Sequence, residues 1–240
     1  MPDKIEQNII LPFNDEEEKL YVANLAEANK ELQELYDLEG SDKMQILKLL
    51  TRLRQLCLEP RLVYDNIDQP SSKLKACMEL IKTMQENKQK VLLFSSFTSV
   101  LDLIAEECQK AGITYYMLTG STNKEDRREL VSSFQKDDTT VFLISLKAGG
   151  TGLNLTSAEA VIHFDPWWNV SAQNQATDRA YRMGQKNNVQ VFNLVMKDSV
   201  EEKIIELQKR KKELADMFVE NNSGGLSQMS KEDILSLFTM

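Results

Sequence analysis

From residue 72 onward the sequence alternates short apolar runs with longer stretches of helical period, and few folds accommodate that rhythm. The runs "VLLF" (91–94), "TYYML" (114–118), "VFLIS" (141–145), "AVIHF" (160–164) and "VQVFNLV" (189–195) are short and nearly continuously apolar. They read as strands buried on both faces. Between them, "SVLDLIAEECQKAG", "KEDRRELVSSFQK" and "VSAQNQATDRAYR" read as helices. That alternation implies βαβ units and a parallel sheet flanked by helices, an α/β fold. Ligands meet such sheets at the loops beyond the carboxyl ends of the strands. The informative loops are therefore those after Phe94, Leu118, Ser145 and Phe164.

Two helical patterns precede this region. "NDEEEKLYVANLAEANKELQELYDLE" opens on Asn14 as a cap, with acidic residues in its first turn and an apolar face of Leu20, Leu25, Leu32, Leu35 and Tyr36. After Gly40 and Ser41, "DKMQILKLLTRLRQLCLEP" repeats the helical period and stops at Pro60. These helices are expected to form an appendage before the sheet begins. Beyond the last strand a long helix opens with a Ser199-x-x-Glu202 capping box, "NNSGGLSQ" is a flexible break, and "SKEDILSLF" closes the chain. The closing segment has Ser230 as a cap and an apolar face of Ile234, Leu235 and Phe238, expected to dock back on the body. This divides the chain into a linker and helical appendage (1–70), a sheet-bearing lobe (71–198) and a bracing helix with tail (199–240).

Composition removes several classes of function. The 240 residues are 42% hydrophobic, enough for a sizeable core, yet no apolar run approaches the roughly eighteen residues that span a bilayer. No membrane partner is expected, and "MPDKIEQNII" lacks the pattern of a signal peptide, so the chain is expected to stay inside the cell. Cys57, Cys77 and Cys108 are far apart and His163 is the single histidine, which argues against disulfide frameworks, zinc sites and histidine triads. The net charge of −8 speaks against nucleic acid only until it is located. Residues 15–39 hold nine acidic side chains against Lys19 and Lys30, so the acidity belongs to the first helix and the remainder is near neutral.

The loop after "VFLIS" reads "LKAGGTGLNLTSA". Gly149, Gly150 and Gly152 suit either a tight turn or a nest of amides that cradles an anion. This loop is not a P-loop: G-x-x-x-x-G-K-[ST] occurs nowhere, and no D-E-x-H box follows a strand to hold magnesium. Farther on, Gln175, Arg179 and Arg182 are spaced i, i+4, i+7, which would put them on one helix face. Two arginines there suit a phosphate, whose oxygens match the guanidinium fork; the plainer reading pairs Asp178 with Arg182 on a solvated face. Trp167 and Trp168 stand side by side at the end of a strand, one expected to pack inward and the other, Trp168, to meet a ligand or partner surface. His163, inside a buried strand, reads as a core imidazole, and "KRKK" (209–212) as a solvated helix face.

Taken together, "SLKAGGTGLNLTSAEAVIHFDPWWNVSAQNQATDRAYRMGQ" resembles motifs five and six of SWI/SNF-type ATPases, double-stranded-DNA translocases within helicase superfamily two. "KQKVLLFSSFTSVLDLI" resembles their motif four, "YYMLTGSTNKEDRRELVSSFQ" the G-S-T segment with its following Arg127, and "LRQLCLEPRL" the helix that links the two motor lobes. "PDKIEQNIILPFNDEEEKLY" resembles the stretch leaving the first lobe, so the likeness covers nearly all of residues 3–220. In two places the sequence departs from the pattern: Leu146 stands where many relatives carry a small hydroxyl residue, and Val170 where many carry proline.

The resemblance implies a RecA-like C-terminal lobe that closes on an N-terminal RecA-like lobe of the same parent protein. In that family the first lobe holds most of the ATP and magnesium, and the second supplies arginine fingers. Carried over, Arg179 and Arg182 are the fingers and Gln175 the polar member of the motif, with Gly150, Gly152 and Leu153 also on the nucleotide side. The DNA track takes Ser96, Gly120, Ser121, Thr122, Arg127, Ser145, Lys147, Asn154 and Trp168. The partners it implies are double-stranded DNA and, as a substrate, a DNA-bound protein to be displaced; the implied setting is the nucleoid in a bacterium or the nucleus in a eukaryote. On this reading the chain alone, lacking P-loop and magnesium box, does not hydrolyse ATP. Two rivals remain: an RNA helicase lobe, whose motif six typically ends H-R-x-G-R-x-G-R where this chain has "YRMGQ", and a stand-alone domain that holds a phosphorylated partner.

Overall fold

The computed structural model describes residues 3–37, 43–149, 153–167, 170–182, 184–185, 187–217 and 231–238. In chain order the elements are β1 (Lys4–Leu11), α1 (Asp15–Asp37), α2 (Lys43–Leu58), a 3-10 turn (Pro60–Leu62), α3 (Ser72–Glu86), β2 (Val91–Ser95) and α4 (Thr98–Lys110). They continue with β3 (Tyr115–Leu118), α5 (Lys124–Lys136), β4 (Val141–Ser145), α6 (Leu146–Gly149), β5 (Ala160–His163), α7 (Val170–Thr177), β6 (Val189–Met196), α8 (Val200–Met217) and α9 (Lys231–Ser236). The strands form one parallel sheet in the order β1-β6-β5-β2-β4-β3, an α/β RecA-like fold. The register runs Val91↔Val141 and Val91↔Ala160, so β2 and β4 finish level at Ser95 and Ser145, and β5 ends at His163 opposite Phe94. No helix among the described residues is long and apolar enough to cross a membrane.

The chain separates into two compact units. One comprises residues 1–9 and 75–195, the other residues 10–74 and 196–240. In the first, β2 and β4 are buried at every position, as their unbroken apolar runs require of strands covered on both faces. Leu92, Phe94, Phe134, Phe142, Ile144 and Val161 form the centre of its core, and Leu146 packs into the same cluster, so its departure from the family pattern is absorbed by the interior. β1 corrects the expectation that only helices precede the sheet. Its exposed, mixed sequence KIEQNIIL gives no buried run, yet Val189 N donates to Asp3 O at 3.0 Å, and Asn193 Nδ2 bonds Glu6 and Asn8 at 3.1 and 2.9 Å, which seats it beside β6.

In the second unit, Asn14 caps α1 by accepting from Glu16 N and Glu17 N at 3.0 and 2.9 Å, while Glu17 returns the bond to Asn14 N at 3.1 Å. Lys73 and Glu201 form a salt bridge at 2.7 Å with both side chains fully buried, and Glu201 also accepts from Met196 N at 2.8 Å. Nearby, Tyr21 Oη accepts from Val200 N at 2.7 Å. Glu59 is likewise buried, accepting from Arg61 Nε at 3.0 Å and Ser71 N at 2.9 Å, which fixes the turn that follows α2. At the start of α8, Ser199 Oγ accepts from Glu201 N at 3.1 Å, but Glu202 reaches Asp198 N at 2.6 Å, one residue earlier than a capping box requires. The closing segment is docked: Leu237 and Phe238 are buried, and Asn29 Nδ2 donates to Phe238 O at 2.9 Å. Leu235 is exposed, contrary to the expected apolar face, while Ser230 and the Ile234 side chain lie outside what is described.

Candidate functional site

The connections beyond β2, β3 and β4 converge. Ser96 and Thr98 after β2, Gly120 and Ser121 after β3, and Ser145 and Lys147 at the end of β4 line one depression of about 640 Å3. Five of these were expected on a phosphate track from sequence. Each is presented for a local reason. Thr122 N donates to Thr119 O at 3.2 Å and Thr122 Oγ1 accepts from Thr119 N at 3.1 Å, making a turn that lifts Gly120 and Ser121 into solvent. A Cβ at Gly120 would meet nothing within 4 Å and its φ is not positive, so the fold itself does not require glycine there.

Asp165, which the sequence reading did not single out as a site residue, organises this edge. It is 1% exposed, accepts from Ser95 Oγ at 2.7 Å and from Ser96 N at 3.0 Å, and is also bonded by Ser96 Oγ. The loop after β5 thereby fixes the loop after β2. A buried aspartate two residues beyond His163, at the carboxyl end of a strand, was the available signal.

A second depression of about 700 Å3 is lined by α5 and the connections beyond β3 and β4, with Thr122, Arg127, Leu153 and Asn154 among its residues. Leu153 is buried with the core cluster while Asn154 is exposed. Gln135 holds this segment from α5, donating from Nε2 to Asn154 O at 2.7 Å and accepting from Ser157 N at 2.9 Å. Gly150, Gly152 and Trp168 lie outside the described residues. Trp167 packs against the core cluster, and its backbone N–H donates to Gln173 Oε1 at 3.2 Å.

The arginine stripe departs from its expected geometry. α7 ends at Thr177, so only Gln175 lies on it, and Arg179 and Arg182 follow in tight turns. Arg179 N and Ala180 N make i−3 bonds to Ala176 O and Thr177 O, both at 3.1 Å. Beyond these turns Arg179 O accepts from Leu155 N at 3.0 Å, and Ala180 O from Gln185 Nε2 at 3.2 Å. The helix gives way to i−3 turns after Thr177 and the single face is not formed. Gln175 and Arg182 are exposed, whereas Arg179 is 8% exposed and its Nε has no hydrogen-bond partner among the described residues. Burial, followed by the nearby charge of Arg182, holds the Arg179 guanidinium below its ordinary range.

His163 is fully enclosed, stacked on Phe94 with ring centroids 5.7 Å apart, and bonded through Nε2 to Thr177 Oγ1 at 2.9 Å. Burial lowers its pKa from 6.5 to about 4, so it is neutral at physiological pH. Cys57, Cys77 and Cys108 are buried, and burial pushes the Cys108 thiol up to about 12. Among the described residues no three His, Cys, Asp or Glu side chains gather to hold a metal ion.

The family model described as "Helicase conserved C-terminal domain" matches residues 72–184, the segment that carries these loops. A Mycoplasma pneumoniae protein described as an uncharacterized ATP-dependent helicase is 36% identical over 239 residues, covering 99% of this chain and 23% of that protein. The Sulfolobus solfataricus SWI2/SNF2 ATPase C-terminal domain has a similar structure, with a TM-score of 0.78 at 27% identity over 98% of each chain. The chain is a SNF2-family C-terminal helicase lobe. Also similar is the Sulfolobus solfataricus SWI2/SNF2 ATPase core in complex with dsDNA, with a TM-score of 0.79 and 30% identity over 98% of this chain and 50% of that one. The SNF2-family lobe seen here therefore spans half of that core and under a quarter of the Mycoplasma protein's length.

Proposed function

We propose that this lobe is the second motor half of a DNA-dependent ATPase that translocates on double-stranded DNA. Together with an N-terminal RecA-like lobe it forms a split ATP site. The observation that carries the DNA half is the convergence of Ser96, Gly120, Ser121, Ser145 and Lys147 from three strand ends into one depression. The hydroxyls, open backbone and Lys147 suit phosphates of any sequence, with Asp102 the one carboxylate of the lining, and the open space over Gly120 admits close approach of a backbone. Similarity to an ATPase core in complex with dsDNA supports the same ligand.

The nucleotide half rests on Arg179 and Arg182. A buried guanidinium with an unpaired Nε fits an anion that arrives from outside, and the exposed Arg182 can follow the charge that spreads on a transferring phosphoryl group. ATP supplies the phosphoryl group. Magnesium and most of the nucleotide are held by the other lobe, because this chain carries neither a P-loop nor a magnesium box. Closing on ATP and opening after hydrolysis would step the pair along DNA. Its intracellular setting, and any protein it displaces, follow from whichever DNA it travels.

The test is ATP turnover by a protein in which this chain follows an N-terminal RecA-like lobe, with duplex DNA, single-stranded DNA and RNA compared. Stimulation by duplex is the expected result. Stimulation by RNA alone would transfer the assignment to an RNA helicase lobe, and none by any nucleic acid would refute the motor reading.

A further inference from the structure

The depression beside α5 carries positive charge that the reading above leaves unused. Lys124 and Arg128 stand i, i+4 on α5, both exposed, and both line that depression together with Val131 and Ser132 from the same face. Among the described residues neither is in an ion pair, although the helix carries three acids. Asp126 is engaged by Asn123 Nδ2 at 2.8 Å, and Glu125 and Glu129 are not among the lining residues. An acidic chain thus presents a locally basic face. Val131 and Leu153 give the depression an apolar part, where attraction between opposite charges is less screened than in open water.

Arg127, between the two, is differently employed. It is half-buried and its Nη1 donates to Ala148 O at 3.1 Å, which ties α5 to the connection beyond β4. We propose that Lys124 and Arg128 are the cations that take DNA phosphates in this cleft, and that Arg127 is a positioning residue that holds the β4 connection in register with α5. This rests on the DNA reading above and reassigns the role expected of Arg127 from sequence. Lysine and arginine at such spacing act as two independent phosphate contacts, each releasing counterions when the duplex arrives.

The experiment is binding of a labelled duplex of arbitrary sequence to the full chain, followed by fluorescence anisotropy between about 50 and 200 mM salt. Lys124→Ala and Arg128→Ala are each expected to reduce the slope of log affinity against log salt by about one, and the double variant by about two. Lys110→Ala, at the far end of α4, is expected to leave it unchanged. Arg127→Gln is expected to lower the melting temperature and weaken binding without changing the slope. If Lys124→Ala and Arg128→Ala leave the slope of a binding wild type intact, the proposal is overturned and the DNA reading survives. A loss of slope in Arg127→Gln overturns its positioning role. A wild type with no salt-dependent duplex binding overturns both the proposal and the reading beneath it.

Discussion

Arg179 and Arg182 stand three residues apart in opposite surroundings: Arg179 is 8% exposed with Nε unpartnered among the described residues, and Arg182 lies open to solvent. A buried, unpaired donor on a cation costs the folded state free energy, and that cost is recovered when an anion arrives. The relationship is that of a buried guanidinium beside an exposed one.

The cost is measurable. Arg179→Met, which keeps the length of the stem and removes the charge, is expected to raise stability to urea by about 1–2 kcal/mol while abolishing turnover in the two-lobe protein. A destabilised Arg179→Met would mean that the guanidinium is satisfied in solution.

Asp165 gathers Ser95 and Ser96 at the carboxyl end of β2, so its carboxylate is a structural element of the edge proposed to face DNA. Asp165→Asn offers one acceptor oxygen for the bonds from Ser95 Oγ, Ser96 N and Ser96 Oγ. A loss of about 2–3 kcal/mol in chemical denaturation is expected, together with weaker duplex binding through the displaced Ser96.

For the buried Lys73–Glu201 pair, removing one partner strands the other charge. Lys73→Met and Glu201→Gln are each expected to cost about 3–5 kcal/mol, and the double variant less than either, because no uncompensated charge then remains in the interior. Additive losses in this double-mutant cycle would contradict the pairing.

His163 gives the protein an acid-sensitive window. Its folded pKa, about 4, lies below the ordinary 6.5, so between those values the unfolded chain binds a proton that the folded chain does not. Stability from this group is complete above about pH 6.5 and is lost as pH falls toward 4, by up to about 3 kcal/mol. Melting curves across that range should flatten in His163→Gln relative to the wild type.

How much of this was legible in the sequence depends on where each residue's partners come from. Strands such as VLLF and VFLIS carry their own signal, since burial on both faces needs nothing but apolar residues, and both were read within one residue of their observed ends. β1 carries none: its pairing is decided by β6, some 185 residues away, and its exposed side chains alternate without a buried run. The early end of α7 is hidden too, because nothing in the sequence marks that Arg179 N and Ala180 N turn to i−3 carbonyls or that Arg179 O is taken by the distant Leu155 N. That the loops after β2, β3 and β4 gather at one edge was readable from their position after parallel strands. The internal engagement of Arg127 with Ala148 O could not be read, since nothing in the sequence says which of two neighbouring arginines turns inward.

The most direct test of the split site is steady-state ATP turnover, with saturating duplex DNA, by a protein that joins this chain to an N-terminal RecA-like lobe, comparing the wild type with Arg182→Ala and measuring nucleotide affinity alongside. If this lobe supplies a finger to the other lobe's nucleotide, turnover falls by about a thousandfold or more while nucleotide affinity is largely kept. An Arg182→Ala protein as active as the wild type, or ATP hydrolysis by the present chain alone, would contradict it.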